Sequence, residues 1–341
     1  MPEQDMRMVT PLEAARLFER LPAGPWPSTL HPAYALADAR RDAALEPSFF
    51  CFESQGETWM HALHVTRVTG TRWRDASSPY GYGGPLSTSA DASFRQLAWG
   101  AYAAFMRERG IVVEYVRFHP LLGNERWYGG RVLDNRQVVT VDLEAGDPSA
   151  GYASRLRQVV KKAAKLELRY EERPLAATAR EFGDFHRAAM EEMGADPFFS
   201  FPDDYFESLG QVPGAVVGIC TGPGGSEWLA ASLFLDGRGV REYHLAATSA
   251  KGRAAGASSF TLHRAALEAQ ARGIARLYLG GGTDARPDNP LFFFKSGFSP
   301  QRLTYRTGSA VFDAAAYEEL KSVFPEQWQA HPERPIFYRK V

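Results

Sequence analysis

The chain has 341 residues, of which 45% are hydrophobic and 23% are charged, and its formal net charge is -1. This length exceeds one ordinary core and predicts two domains, while the globular composition argues against extensive disorder. A nearly neutral chain lacks the basic excess of a protein that depends on non-specific contact with nucleic acid. Only a local basic patch could serve such a partner.

Cysteine usage and hydropathy indicate the compartment. Cys51 and Cys220 each lie in an apolar run, which predicts two buried free thiols rather than a disulfide framework or a zinc site. Residues 1–5 are polar and acidic, without the apolar segment of a signal peptide, and no run approaches the ~20 apolar residues of a membrane span. We therefore expect a cytoplasmic protein without a membrane span; its oligomeric state is not indicated.

The first half of the chain begins with helical patterns and continues with strand patterns. In order, we predict helices at 11–21 and 32–44, strands at 49–52, 59–68 and 72–73, a glycine-rich loop at 78–85, a helix at 92–109, and strands at 111–118 and 138–143. His61 and His64 are three residues apart in a strand pattern and so face opposite sides, which excludes a metal pair. No metal site is predicted.

The second half repeats this mixture after a basic helix. In order, we predict helices at 148–165 and 175–193, strands at 166–170, 215–220, 228–235 and 240–247, a helix at 258–272, strands at 275–279 and 302–312, and a helix at 314–323. The first of these helices carries five cations, namely Arg155, Arg157, Lys161, Lys162 and Lys165. They form either a solvated face or an RNA contact.

One short repetition links the two halves. Arg109-Gly110-Ile111 followed by Tyr115 matches Arg272-Gly273-Ile274 followed by Tyr278. In both places an amphipathic helix ends at glycine and passes at once into a buried strand. The pattern favours duplication of one α/β unit.

The strongest local motif follows a strand and begins a helix. It contains Arg253, Gly256, Ala257 and Ser258, and small residues at a helix start leave backbone N–H groups free to hold an anion such as a phosphate. Alternatively, the segment is a plain strand-to-helix turn.

A second motif combines three aromatic residues with a lysine in Phe292-Phe293-Phe294-Lys295. A lysine held in an aromatic cleft could stabilise a developing oxyanion or bind a substrate phosphate. The alternative is a core segment with Lys295 directed to water.

Two further groups are candidates for substrate binding. Tyr80 and Tyr82 lie in a glycine-rich loop, where the backbone can approach a ligand and the rings can stack on it. A turn without any binding role fits the same residues equally well. Tyr243 and His244 lie near the end of a strand that leads to Arg253, where His244 is either a base or a satisfied core histidine. The chain contains no Gly-x-Ser-x-Gly, Walker, His-Glu-x-x-His or Cys-x-x-Cys motif, which removes the usual support for hydrolase, kinase and metalloenzyme functions.

Taken together, these segments resemble the FemAB family of peptidyl transferases and the related FemAB-like proteins of the GNAT acyltransferase superfamily. The resemblance runs from about His31 through Tyr317 and depends mainly on residues 243–248, 253–257, 277–283 and 294–298. It implies an α/β fold with mixed sheets and two tandem GNAT-like modules. We place these modules at residues 1–150 and 151–341, the second starting with the basic connecting helix.

The resemblance also implies a function. Classical members of the family transfer an amino acid from aminoacyl-tRNA to an amine of a peptidoglycan precursor, whereas others use acyl-CoA or act in polysaccharide synthesis. The family's reaction-centre lysine maps to Lys295, with Phe294 beside it. The chain departs from the coenzyme A loop at Ser258 and lacks the coiled-coil arm that some classical members insert.

We therefore expect a transferase with Lys295 as the catalytic group, without a tightly bound cofactor, and with aminoacyl-tRNA or acyl-CoA as co-substrate. Tyr80, Tyr82, Tyr243, His244 and Phe294 would bind the substrate. The residues of the Arg253 motif would bind the donor phosphate. The expected acceptor is a cell-wall or polysaccharide precursor, and tRNA is a further expected partner. Two alternatives are an acyl-CoA-dependent N-acyltransferase of envelope synthesis and a catalytically silent pair of modules that binds an envelope precursor.

Overall fold

The structure is a computed structural model, and it describes residues 5–286 and 288–339. The chain forms two compact units. The first unit consists of Met1–Ala23, Thr29–Asn135 and Tyr305–Val341, and the second of Gly24–Ser28 and Arg136–Thr304. Residues 305–341, which we expected in the second module, thus belong to the first unit. The assignment of one transferase module to 1–150 and one to 151–341 stays a prediction.

Helices and strands alternate along both halves of the described chain. The helices are α1 Pro11–Glu19, α2 Pro32–Asp38, α3 Ala92–Glu108, α4 Ser154–Lys165, α5 Leu175–Glu192, α6 Asp203–Leu209, α7 Ala250–Ala255, α8 Ala257–Ala271, α9 Pro290–Ser296, α10 Ala314–Val323 and α11 Pro325–Ala330. The strands are β1 Met6–Met8, β2 Glu46–Ser54, β3 Glu57–Arg67, β4 Arg74–Ser77, β5 Leu86–Ser87, β6 Ile111–Arg117, β7 Arg131–Asp142, β8 Arg169–Pro174, β9 Ala215–Thr221, β10 Trp228–Asp236, β11 Val240–Thr248, β12 Arg276–Gly280 and β13 Arg302–Val311. None of the helices in the described residues is long and apolar enough to cross a membrane.

The sheet of the first unit has the strand order β1-β2-β3-β4-β6-β13, with β5 paired to β3. Its neighbours are antiparallel except β4 and β6, which are parallel. The helix between that parallel pair is α3, which buries Ala98, Tyr102 and Met106. This unit therefore contains one parallel crossover inside an otherwise antiparallel sheet.

The sheet of the second unit follows the same plan, in the order β7-β12-β11-β10-β9-β8. Its neighbours are antiparallel except β11 and β12, which are parallel and are connected through α7 and α8. The core of this unit includes Phe234, Leu262, Leu277 and Phe298, all fully buried.

The repetition in the sequence marks equivalent corners of the two units. Gly110 connects α3 to β6 with φ 68°, and Gly273 connects α8 to β12 with φ 76°. The last strand of each unit comes from the other half of the chain, because β13 pairs with β6 and β7 pairs with β12. The mixed α/β class and the tandem arrangement predicted from the sequence are confirmed.

Several predicted elements differ in extent. The helix expected at 148–165 begins only at Ser154, after a short 3-10 turn at Pro148–Gly151. The strand expected at 166–170 begins at Arg169, because Glu167 adopts a left-handed backbone with φ 52° at the end of α4. The segment that contains Lys295 is a helix, α9. Cys51 and Cys220 are free and buried, as expected.

Candidate active site

The two parallel strands of the second unit diverge at their carboxyl ends. They pair over three positions, from Val240 opposite Arg276 to Glu242 opposite Tyr278. Beyond these positions β11 continues to Thr248 without pairing to β12. The carboxyl end of a parallel strand pair that separates is a place where a substrate can reach the backbone and side chains of a sheet.

In the first unit the equivalent parallel strands, β4 and β6, remain hydrogen-bonded at their carboxyl ends. The N–H of Ser78 donates to the carbonyl of Tyr115 at 2.9 Å, and the N–H of Gly83 donates to that of Arg117 at 2.7 Å. These bonds continue the pairing of β4 and β6 past the end of β4. The strand pair of the second unit is therefore open where that of the first is closed.

Helix α9 positions Lys295 near this opening. Its N-cap is Asn289, whose side chain accepts hydrogen bonds from the N–H groups of Leu291 and Phe292 at 3.1 Å each, and Pro290 occupies its first turn. The Asn289 amide also donates to Thr283 at 2.8 Å. Asn289 is 2% exposed, so it fixes the start of α9 against the loop that follows β12.

The Lys295 ammonium is buried between the two diverging strands. It donates a hydrogen bond to the carbonyl of Gly281, just beyond β12, at 2.9 Å, and lies 5.6 Å from the centre of the Tyr243 ring on β11. Lys295 is 8% exposed, which excludes the alternative that it points to water. Within residues 5–286 and 288–339 it forms no ion pair, and burial lowers its pKa from 10.5 to about 7.

Aromatic side chains surround the lysine unevenly. Phe294 and Tyr243 both pack against the core of the second unit, and Phe294 contacts Phe298 edge-on at 5.5 Å between ring centres. Phe293 projects into solvent and is 66% exposed. Burial raises the pKa of Tyr243 to about 12, so this residue is a neutral phenol at physiological pH.

His244 lies at an irregularity of β11. The pairing with β10 shifts between Leu233, which faces Leu245, and Phe234, which faces Tyr243, so His244 is the extra residue of a β-bulge. Its Nε2 atom lies 3.4 Å from the hydroxyl of Tyr205 on α6. The bulge re-aims the backbone and side chain at the point where β11 and β12 separate.

The Arg253 motif forms a closed helical turn. The Ser249 hydroxyl accepts from the N–H of Gly252 at 3.1 Å and caps α7. The Arg253 guanidinium donates to the carbonyl of Thr248 at 2.8 Å and to the carboxylate of Glu192 at 2.6 Å. Arg253 is therefore already engaged by two partners, and a phosphate would compete with Glu192 for it.

The beginning of α8 is less occupied. Gly256 is the N-cap of α8 and adopts a left-handed backbone with φ 71°. Because glycine has no side chain, the first N–H groups of α8 receive no capping hydrogen bond from the N-cap residue. A Cβ on Gly256 would lie 2.8 Å from Val159, which explains the glycine. Ala257 is fully buried, and the hydroxyl of Ser258 lies 2.6 Å from that of Thr248.

The tyrosine loop is a fixed feature of the first unit. The N–H of Tyr80 donates to the buried carboxylate of Asp38 at 2.8 Å. The Tyr82 ring contacts His119 at 4.7 Å and Tyr305 at 5.8 Å between ring centres, edge-on in both cases. These contacts exclude a loosely held turn, because they fix the backbone at Tyr80 and the position of the Tyr82 ring.

The candidate residues thus fall into three groups. Lys295, Tyr243 and Phe294 come together in the second unit, with His244 next to Tyr243 in the chain. The Arg253 motif forms α7 and the start of α8, and Tyr80 and Tyr82 belong to the first unit. Sequence reasoning missed Asn289, although an asparagine before proline is a typical helix start. It also missed Tyr205, for which the sequence offers no signal.

Known structures share this architecture. The crystal structure of FemX has a TM-score of 0.68 at 12% identity, covering 93% of this chain and all of FemX. The C-terminal domain of a protein from Agrobacterium fabrum, described as a putative lysylphosphatidylglycerol synthetase, has a TM-score of 0.55 at 17% identity and covers 89% of this chain and 94% of that one. The L-PGS structure from Bacillus licheniformis has a TM-score of 0.52 at 13% identity and covers 82% and 88%.

These similarities define the class of fold. No protein-family profile matches the sequence, and no curated protein matches it at a significant level. At identities of 12–17% the structural matches establish the architecture alone. The chain has the fold of FemX, and the predicted resemblance to the FemAB-like proteins is confirmed at the level of the fold.

Proposed function

We propose that this protein is an acyltransferase that transfers an aminoacyl group from aminoacyl-tRNA to an amine of a peptidoglycan precursor. The observation that carries the proposal is the Lys295 ammonium, buried at the opening between β11 and β12. A cation at the point where two strands separate can meet an oxygen that becomes negative during transfer. The lysyl group in the name of one similar structure agrees with an aminoacyl donor.

The proposed reaction needs a proton donor at the donor ester. The acceptor nitrogen, as a neutral amine, attacks the carbonyl carbon, and the carbonyl oxygen becomes an oxyanion. The carbon–oxygen bond to the tRNA ribose then breaks, and the proton released by the nitrogen ends on the leaving oxygen. With a pKa of about 7, Lys295 can both donate to these oxygens and regain a proton at neutral pH.

The state of the Arg253 motif supports tRNA over acyl-CoA as donor. Arg253 is bound to Glu192 and to the carbonyl of Thr248, and Lys251 is paired with Glu227 at 2.9 Å. The two cations that a donor phosphate would meet here are therefore each already paired with a carboxylate of the protein. The N–H of Gly256 already donates to the carbonyl of Arg253 at 3.2 Å, so we assign the N–H groups of Ala257 and Ser258 to a single phosphate of the donor, which a helix start can hold.

We assign the acceptor to the residues around Lys295 in the second unit, and we keep the tyrosine loop of the first unit as a separate predicted substrate-binding segment. Tyr80 and Tyr82 offer two hydroxyls, one beyond a fixed backbone position and one on a ring held against His119. Tyr243 supplies an aromatic ring 5.6 Å from the ammonium, with His244 next to it in β11 and Phe294 next to Lys295 in α9. Fixed groups of this kind hold a nucleophile by positioning, and we assign no residue besides Lys295 to a proton transfer.

The decisive assay offers both donors in parallel. Purified protein would receive tRNA charged with radiolabelled amino acids or labelled acetyl-CoA, with a lysine-containing peptidoglycan precursor as acceptor. We expect label to reach the precursor from tRNA. Transfer from acetyl-CoA alone would replace the donor with acyl-CoA. Precursor binding by calorimetry with neither donor consumed would contradict the enzymatic proposal and favour a silent binding protein.

In this assay Lys295→Ala should reduce kcat by about 10²–10³, which is typical for the loss of one oxyanion donor. Phe293→Ala is the matched control, because this ring on the same helix is 66% exposed and should be dispensable. A Lys295→Ala enzyme within about threefold of the unaltered protein would remove Lys295 from the mechanism.

A further inference from the structure

A separate open cleft lies within the first unit. It lies between the C-terminal half of α3, the end of β13 and the segment after α10, and its volume is about 540 Å³, as in small-molecule sites. Aromatic and cationic side chains both line it: Trp99, Arg107, Arg131, Phe312, Tyr317 and Trp328. None of the residues assigned above to group transfer lines this cleft.

The inner wall of the cleft is rigid. A Cβ on Gly129 would collide with the indole of Trp99, so only glycine lets the backbone lie against that ring. Trp99 contacts Tyr128 at 4.6 Å and Tyr102 at 5.5 Å between ring centres, and the Tyr102 hydroxyl donates to the buried carboxyl of Glu114 at 2.6 Å. The Trp99 ring therefore has a fixed orientation before any ligand arrives.

The outer wall is held just as firmly by the C-terminal segment. The Tyr317 hydroxyl donates to the carbonyl of Pro335 at 2.8 Å. The Trp328 ring contacts Phe337 edge-on at 5.1 Å, and Phe337 is 2% exposed. The Lys321 ammonium lies 5.1 Å from the centre of the Tyr317 ring and 4.4 Å from that of the Trp328 ring. Aromatic walls with fixed positions are suited to receive a planar ring beside them.

The charge of the cleft is positive and partly unused. Arg107 donates its Nε to the carbonyl of Phe312 at 2.7 Å, while its terminal nitrogens make no hydrogen bond within the described residues. The Arg131 side chain makes neither a hydrogen bond nor an ion pair there. Arg334 is paired with Glu333 at 3.6 Å, so the guanidiniums of Arg107 and Arg131 give the cleft its net positive charge.

We propose that this cleft binds a small organic anion that carries a planar ring, such as a nucleotide or another ring-bearing phosphate. Guanidinium groups bind phosphate and carboxylate oxygens in a bidentate geometry, and aromatic walls stack on planar rings. The site belongs to the first unit alone, so the proposal goes beyond the transfer reaction and does not rest on it.

The test measures separately how much the planar ring and the anionic group of a ligand contribute to its affinity for the cleft. Calorimetry of the full chain would use adenosine 5′-monophosphate and phenyl phosphate, which carry both groups, against adenosine and ribose 5-phosphate, which carry one each. We expect adenosine 5′-monophosphate, with or without phenyl phosphate, to bind at least about tenfold tighter than either adenosine or ribose 5-phosphate. Equal affinity for ribose 5-phosphate, or no binding at all, would overturn the proposal.

Variants locate the binding. Arg107→Ala and Arg131→Ala should each weaken the nucleotide by about tenfold, and Ala103→Trp should block the cleft sterically. Arg131 makes no hydrogen bond or ion pair in the described residues on which folding could depend, so its variant keeps the test valid if the others unfold. Arg109→Ala, which removes an arginine from above the Phe105 ring at the end of α3, is the control. Unchanged affinity in both arginine variants of the cleft would refute the assignment.

Discussion

Within the residues that the structure describes, Lys295 has one polar partner, the carbonyl of Gly281 at 2.9 Å, and lies in an apolar surrounding. An ammonium removed from water without an anion loses hydration that nothing replaces, so burial lowers its pKa to about 7. Glu114 in the first unit shows the same effect with opposite sign, since burial raises the pKa of its carboxyl to about 7. The chemistry of both residues follows from their environment rather than from their type.

The pH dependence of stability should report the burial of Lys295. Below pH 7 it is protonated in the folded and unfolded states, and the folded state bears the full desolvation cost. Between pH 7 and 10.5 only the unfolded state keeps the proton, so the stability of the natural protein rises relative to Lys295→Met. We expect this difference in the free energy of unfolding to change by about 4 kcal/mol across the range.

Urea unfolding at pH 7, 8, 9 and 10 would measure the difference, and comparison of the two proteins cancels the other titrating groups. Loss of the hydrogen bond to Gly281 in the variant is independent of pH and does not affect the slope. A difference that stays flat with pH would show that Lys295 is not desolvated in the folded protein.

At the scale of elements, α4 combines a buried side with a cationic one. Leu156 and Ala163 pack into the core of the second unit, which confirms the amphipathic pattern of the sequence. The side chains of Lys161, Lys162 and Lys165 form no ion pair within the described residues. A helix of this kind is an exposed positive surface that RNA phosphates can approach.

Reversing charges on α4 tests whether this helix binds tRNA. We expect Lys162→Glu with Lys165→Glu to weaken tRNA binding and to lower the slope of log affinity against log salt by about one for each phosphate that the helix no longer neutralises. Arg16→Glu with Arg180→Glu is the matched control on two other helices. Filter binding from about 50 to about 200 mM salt would measure both slopes, and identical slopes would exclude α4 as the RNA-binding surface.

At the scale of the whole chain, the two units repeat one order of elements, and each completes its sheet with a strand from the other half. The short repetition around Gly110 and Gly273 is the trace of this duplication in the sequence. Both glycines have positive φ, and a Cβ would meet no atom within 4 Å at either position. Both positions therefore require glycine because of their positive φ, and not because a side chain would lack space.

Equivalent substitutions at these corners should have equivalent effects. Gly110→Ala and Gly273→Ala should each lower the free energy of unfolding by about 1 kcal/mol, because alanine is strained at positive φ. Since the glycines belong to different units and share no partner, the double variant should show the sum within about 0.5 kcal/mol. Urea unfolding would measure this, with Gly224→Ala, at an open loop position without positive φ, as the control.

The sequence by itself determined the helices and strands with strong periodicity, the glycine corners, the buried cysteines and the tandem fold. These features depend on local spacing and backbone preference, which neighbouring residues reveal. It also selected Lys295 and Tyr243 as candidates, yet it left open whether the lysine faces water.

Only the tertiary structure decided that question. The separation of β11 from β12, the exchange of β7 and β13 and the cap of α9 by Asn289 bring Lys295 to Gly281 and Tyr243. Strand partners and burial arise from contacts between residues far apart in the chain, and no local pattern encodes them. The same distant contacts set the charge state of the lysine.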